Sequence, residues 1–207
     1  MTAWSIQPWN STDRPAKPAG QLVPSPVNIA QFEEAAAFLA ASDLSHFGFV
    51  AVSVGALSAD SARKAIGIFG AMEISSRVYF AVDPADLERL DFSSLDNARA
   101  GLLLDGVESS TPLSTLANDS VEVVRFDDRF AMRAMVHLRA ECILEAMVSL
   151  VRNLGLCSLG PDLRNGARSF ASVPQFDYVS GPITSLAETS QEPLPLFADT
   201  SGHAHLI

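Results

Sequence analysis

Apolar positions along this chain follow two alternating rhythms. Four continuous runs, at residues 46–54, 77–82, 100–105 and 121–126, predict strands buried on both faces. Between them, spacings near 3.6 predict helices. One covers 29–44, with Ile29, Phe32, Ala36, Phe38 and Leu39 on its apolar side. Another covers 58–72, with Ser58 as N-cap and Ala65, Ile66, Ile68 and Phe69 inward. Pro84 opens a short helix to Leu90. A long helix is predicted over 128–153, in one piece or in two parted around 137–141, with Ile143, Met147, Leu150 and Val151 on one face. Residues 156–159 form a fifth strand, 163–170 a weak helix, and Tyr178-Val179 a sixth strand. Residues 1–27 carry Pro8, Pro15, Pro18, Pro24 and Pro26, which predict extended, irregular backbone. After Gly181 a mixed polar run with Pro182, Pro193 and Pro195 reads as a loose tail.

Strands alternating with helices imply parallel βα units. Pattern alone fits a barrel and an open doubly wound sheet equally. The expected organisation is a Pro-rich segment at 1–27, a β/α domain at 28–183 and a tail at 184–207.

Composition narrows the function classes. At 207 residues and 48% apolar content the chain can bury a sizeable core. Its net charge of −10 argues against nucleic acid, which is held by Lys and Arg on phosphates. No apolar run reaches the ~20 residues that span a bilayer, and no leader pattern opens the chain. The expectation is a cytoplasmic protein without membrane insertion. Two cysteines, Cys142 and Cys157, are too few for a disulfide framework, and both are expected as buried thiols.

Residues 113–181 carry the most specific signal. They hold Leu113-Ser114-Thr115-Leu116, then Val121-Glu122-Val123-Val124-Arg125-Phe126-Asp127. After a helix come Leu154-Gly155-Leu156-Cys157-Ser158-Leu159-Gly160-Pro161-Asp162 and Phe176-Asp177-Tyr178-Val179-Ser180-Gly181. In order and spacing this resembles the C-terminal half of EAL-type cyclic-di-GMP phosphodiesterase domains, which read S-x-L-x-x-L, D-x-x-K-I-D, L-G-x-x-V-x-A-E-G-V-E and D-x-x-Q-G-Y. Upstream, Phe80-Ala81-Val82-Asp83-Pro84 lies at the family's F-E-x-T-E, and Val52-Ser53-Val54-Gly55 at its V-N-x-S. Gly20-Gln21-Leu22-Val23-Pro24 resembles the linker after the signature strand. That puts Trp4-Ser5-Ile6-Gln7-Pro8-Trp9 at the signature E-A-L-x-R-W and leaves the family's first strand without a counterpart. The resemblance therefore implies a TIM-like β/α barrel, incomplete or modified at its first strand.

It also implies what the site lacks. A two-metal phosphodiesterase holds cations roughly 4 Å apart with carboxylate and amide oxygens from the C-terminal ends of several strands. On the resemblance, the signature Glu falls at Trp4, the Asn ligand at Ser53 and the next Glu at Ala81. An Asp-Asp pair meets Leu104-Asp105, two further Glu positions fall at Pro161 and Arg164, and a Gln falls at Ser180. Arg125 replaces a Lys and keeps its charge in another shape. The signature Arg falls at Pro8. The implied protein is a pseudoenzyme with no catalytic residue, no metal site and no cofactor. Asp105, Arg125 and Asp127 are the candidate ligand-binding residues.

Plainer roles stand beside these. Asp127 and Asp128 precede a helix, where Asp caps ordinarily. Arg125 and Asp105 can simply neutralise each other. His46, His137, His203 and His205 have no ligand-spaced partners. Degenerate EAL domains are associated with regulatory protein contacts in motility, biofilm and cell-cycle signalling, so the expected partner is another protein, a second copy or a regulatory target. A receptor that binds cyclic-di-GMP without cleaving it is the alternative. A missing first strand would leave a seam, covered either by the segment with Trp4 and Trp9 or by another subunit.

Overall fold

A computed structural model describes residues 2–12, 17–54, 57–90, 95, 100–161 and 176–180. The expected helix over 163–170, Arg164, the tail, and His203 and His205 lie outside them. Eight strands close into a barrel in chain order. They are β1 (Ser5–Ser11), β2 (Ala19–Val23), β3 (Phe49–Ser53), β4 (Arg77–Val82), β5 (Ala100–Val107), β6 (Val121–Phe126), β7 (Cys157–Pro161) and β8 (Tyr178–Ser180). Neighbours from β2 to β8 pair in parallel. β1 is antiparallel to both β2 and β8.

The amino-terminal segment corrects the sequence reading. Residues expected to be irregular form β1 and β2, and the first strand is present. The barrel is modified there by its direction and is closed. Ser5 to Trp9 pair with Val23 to Ala19, and Trp9 to Ser11 pair with Ser180 to Tyr178. Thus the segment with Trp4 and Trp9 fills the seam itself. Pro8 sits opposite Gly20 within this ladder. Trp9 is only 1% exposed, in the barrel interior.

Alternation of side chains along each strand sorts the apolar residues into two cores. Phe49, Ala51, Tyr79, Ala81, Leu103 and Leu159 point inward with Trp9. Phe49 makes edge contacts with Trp9, Tyr79 and Tyr178 at centroid distances of 6.2, 4.8 and 5.3 Å. The barrel is therefore packed, with its aromatic mass toward the N-terminal ends of its strands. Val50, Val52, Phe80, Leu102, Leu104 and Val124 point outward and meet the helices.

Those helices are α1 (Ile29–Ala41), α2 (Ala59–Gly70), the short α3 (Leu113–Leu116), α4 (Asp128–Ala134) and α5 (Leu138–Asn153). Asn28 caps α1 by accepting from the Gln31 N–H at 3.0 Å, and Ser58 caps α2 by accepting from Ser61 at 3.3 Å. The predicted long helix breaks in two, at Met135 to His137. A single 3-10 turn (Pro84–Asp86) stands where a short helix was expected. On α5 the buried face is Ala140, Leu144, Met147, Val148 and Val151. Ile143, expected inward, is exposed. Cys142 and Cys157 are also exposed, which corrects the expectation of buried thiols. Cys142 lies on the outer face of α5, and Cys157 opens β7 at the barrel's bottom rim.

Candidate functional site

In a β/α barrel the C-terminal strand ends form the mouth where chemistry is ordinarily placed. Here Ser53, Asp105, Arg125, Pro161 and Ser180 reach that rim. Asp105 and Arg125 are register partners on β5 and β6. Arg125 Nη1 donates to Asp105 Oδ1 at 3.1 Å and lies 3.4 Å from Oδ2. Its Nη2 is 3.6 Å from Asp128 Oδ2. One guanidinium thus spans a strand-end carboxylate and the first turn of α4. Just after Asp105, Gly106 adopts a φ of 87°, and the β5–β6 register shifts between Asp105 and Val107. That bulge needs a residue tolerating the left-handed region.

Burial pushes the Asp105 carboxyl above its ordinary value; the Arg125 charge opposes this, while Asp128 and Asp83 reinforce it. Desolvation therefore outweighs the ion pair. Asp83 is fixed nearby by its own role, accepting from the Ala85 N–H at 2.8 Å to cap the 3-10 turn.

Of the three candidate residues, Asp105 and Arg125 come together. Asp127 does not join them through any contact found. It caps α4, accepting from the Phe130 N–H at 2.8 Å, as the plainer reading had it. Asp128 takes its place beside Arg125. Among the described residues no group of three or more His, Cys, Asp or Glu is placed to hold a metal ion.

The positions at which the resemblance puts metal ligands can be read off the strands. Ser53 and Ala81 are register partners on β3 and β4, with an alcohol and a methyl group. Leu104 is fully buried in the outer core, facing the helices and away from the mouth. Pro161 and Ser180 pair at the ends of β7 and β8. On the resemblance, in which the signature strand follows the first, the signature position falls on β2 and not on Trp4–Trp9. That strand reads Ala-Gly-Gln-Leu-Val, with Gln21 as its only polar side chain. These residues do not fit a pair of hard divalent cations, which require several carboxylate or amide oxygens.

A second polar cluster, at the opposite end, escaped the sequence reading. Glu122 accepts from the Tyr79 hydroxyl at 2.8 Å and pairs with Arg77, whose guanidinium lies 5.2 Å from the Tyr79 ring centroid. Desolvation first, then the Glu122 hydrogen bond and charge, push the Tyr79 hydroxyl well up. Next to it Asp177 accepts from the Ser158 N–H at 2.7 Å and its hydroxyl at 2.6 Å. The Asp177 N–H donates back to that hydroxyl at 3.1 Å. Asp177 belongs to the D-x-x-Q-G-Y-like motif, so its position was visible; its partner depended on β7–β8 register and was not.

Solved structures that superpose on this chain include EAL domains. The FimX EAL domain from Pseudomonas aeruginosa, bound to c-di-GMP, superposes with a TM-score of 0.64 at 14% identity, covering 86% of this chain and 88% of that one. The EAL domain of Mycobacterium smegmatis DcpA gives 0.61 at 14% identity, over 86% and 87%. A calcium and cyclic-di-GMP complex of Klebsiella pneumoniae BlrP1 gives 0.58 at 10% identity, over 86% of this chain and 53% of that one. No family model matches the sequence, and no curated protein matches it. The fold is that of an EAL domain. No helix among the described residues is long and apolar enough to cross a membrane.

Proposed function

We propose that this chain is a catalytically inactive EAL-like domain serving as a regulatory protein-interaction module in bacterial cyclic-di-GMP signalling, in motility, biofilm or cell-cycle control. The observation that carries this reading is the composition of the mouth. Where the resemblance calls for metal ligands, the strand ends offer Ser53, Ala81, Pro161 and Ser180. The carboxylate that remains, Asp105, is engaged by Arg125. A fold kept intact around a mouth without ligands is useful for its surfaces. The partner is a protein, a second copy or a regulatory target, met in the cytoplasm. The domain spans 28–183 together with the two strands that precede it.

The alternative is a receptor that binds cyclic-di-GMP without cleaving it. Two observations favour it: a fold neighbour holds c-di-GMP, and Arg125 stands at the mouth where a phosphate would approach. Against it, Arg125 is already shared by Asp105 and Asp128. Calorimetric titration with cyclic-di-GMP, with and without Mg²⁺, separates the two. The interaction-module reading expects no saturable heat in either condition. Saturable binding that Arg125→Ala abolishes would replace it with the receptor reading.

A further inference from the structure

The α4–α5 corner leaves apolar surface open to solvent. Met132 is 56% exposed, Val136 73% and Leu138 73%. They fall within seven consecutive residues, wrapped by the turn that donates Val136 N and His137 N to the Arg133 carbonyl. Along α5 the stripe continues at helical spacing, with Cys142 exposed one turn beyond Leu138 and Ile143 44% exposed beside it. Scattered apolar side chains on a surface are ordinary, but a contiguous stripe marks a contact.

Charge within the corner itself is basic, with Asp128 and Glu141 at its two ends. Residues 129–139 contain Arg129, Arg133 and Arg139 and no Asp or Glu, in a protein of net charge −10. All three arginines are exposed. The sequence after β8 is the complement. Residues 181–207 contain Glu188, Glu192 and Asp199 and no Lys or Arg. Two of those acids flank an apolar run, Glu192-Pro193-Leu194-Pro195-Leu196-Phe197-Ala198-Asp199. Pro193 and Pro195 fix two φ angles, so less conformational entropy is lost when the run is held.

Reach agrees with this pairing. Ser180 ends β8 opposite Pro161, at the mouth end of the barrel. α4 leaves β6 at that same end, and both α4 and α5 pack on β7, the neighbour of β8. Twelve residues, 181–192, precede Pro193, an extended span of about 40 Å. We propose that the carboxy-terminal run Pro193–Phe197 docks on the apolar stripe of the α4–α5 corner, with Glu192 and Asp199 against its arginine rim. Docking in this way covers the stripe intramolecularly.

Cys142 lies on the stripe and reports its cover. In a Cys157→Ser background it is the sole thiol, and its rate of reaction with a maleimide is measured by mass spectrometry on the full chain. The rate is expected to rise severalfold in Leu196→Asp/Phe197→Asp, and to rise with added salt in the parent. Glu192→Lys/Asp199→Lys, which leaves the apolar run intact, is expected to fall between. Circular dichroism is recorded for each variant, and a faster rate that accompanies lost helical signal counts against the proposal. Equal rates in the parent and both tail variants overturn it. So does protection that survives the tail variants and grows with protein concentration, since a second copy would then be the cover.

Discussion

The two ends of the barrel spend their polar groups differently. At the bottom, Glu122 satisfies both Tyr79 and Arg77, and Asp177 locks Ser158 across β7 and β8. Each acid there ties one strand to another beneath an interior filled by Phe49 and its aromatic neighbours. At the mouth, Asp105 is held by one arginine, its carboxyl pushed up by burial, and the adjoining strand ends carry Ser53, Ala81 and Pro161. In β/α barrels the bottom ordinarily serves stability and the mouth chemistry. This chain has kept the first in full. At the second it has the Arg125–Asp105 ion pair.

The largest effect should come from the bottom. Phe49→Ala empties the contact point of three aromatic rings, and a loss of about 3–5 kcal/mol in denaturant unfolding is expected. A loss below that of a surface substitution would show that the interior is not packed as described.

At the mouth, Arg125→Ala leaves Asp105 half-buried beside Asp128 and Asp83, and should cost about 1–3 kcal/mol. Gly106→Val forces a β-branched residue to a φ of 87° and should cost a similar ~1–3 kcal/mol. Asp105→Asn should cost far less than Arg125→Ala, because it removes the desolvated charge while Arg125 retains Asp128. The pH dependence carries the sign. A carboxyl raised in the folded state favours the protonated form, so its stabilising contribution is complete below the ordinary value of 3.8 and is lost as pH rises through the raised value. Thermal unfolding followed from pH 3 upward should show this decline in the parent and its absence in Asp105→Asn. Identical slopes would mean that Asp105 is not desolvated.

A small effect belongs to Tyr79→Phe, which removes one hydroxyl from Glu122 and should cost about 1 kcal/mol. The Tyr79 hydroxyl is also raised, so its contribution is present below the ordinary value of 10.0 and fades as pH climbs above it. Ultraviolet titration should leave Tyr79 protonated above the ordinary tyrosine value of 10.0. The Phe variant should lose the corresponding alkaline decline.

Much of this architecture was legible because burial on both faces writes itself as continuous apolar runs. The bounds of β4 and β6 were read as they stand, and so was the cap of α2 by Ser58. The split of the long helix was legible as a choice between one piece and two. β1 and β2 were not legible, since Pro8, Pro18 and Pro24 signal irregular backbone and their pairing is with distant β8 as well as with each other. Cys142 and Ile143 sit among apolar letters, but helical phase turns both outward. At the site, Asp105 and Arg125 were visible as strand-end charges that could neutralise each other. Asp128 was read only as a helix-start acid, although its contact with Arg125 is three residues away in sequence; the Glu122–Tyr79–Arg77 cluster required the register of three strands, which no local pattern encodes.

The proposed function stands or falls on whether this mouth cleaves cyclic-di-GMP. Purified full-length chain is incubated with cyclic-di-GMP and either Mg²⁺ or Mn²⁺, and the linear dinucleotide is followed by chromatography. The account predicts no product above the protein-free control with either cation. Turnover that disappears in Asp105→Ala would contradict it.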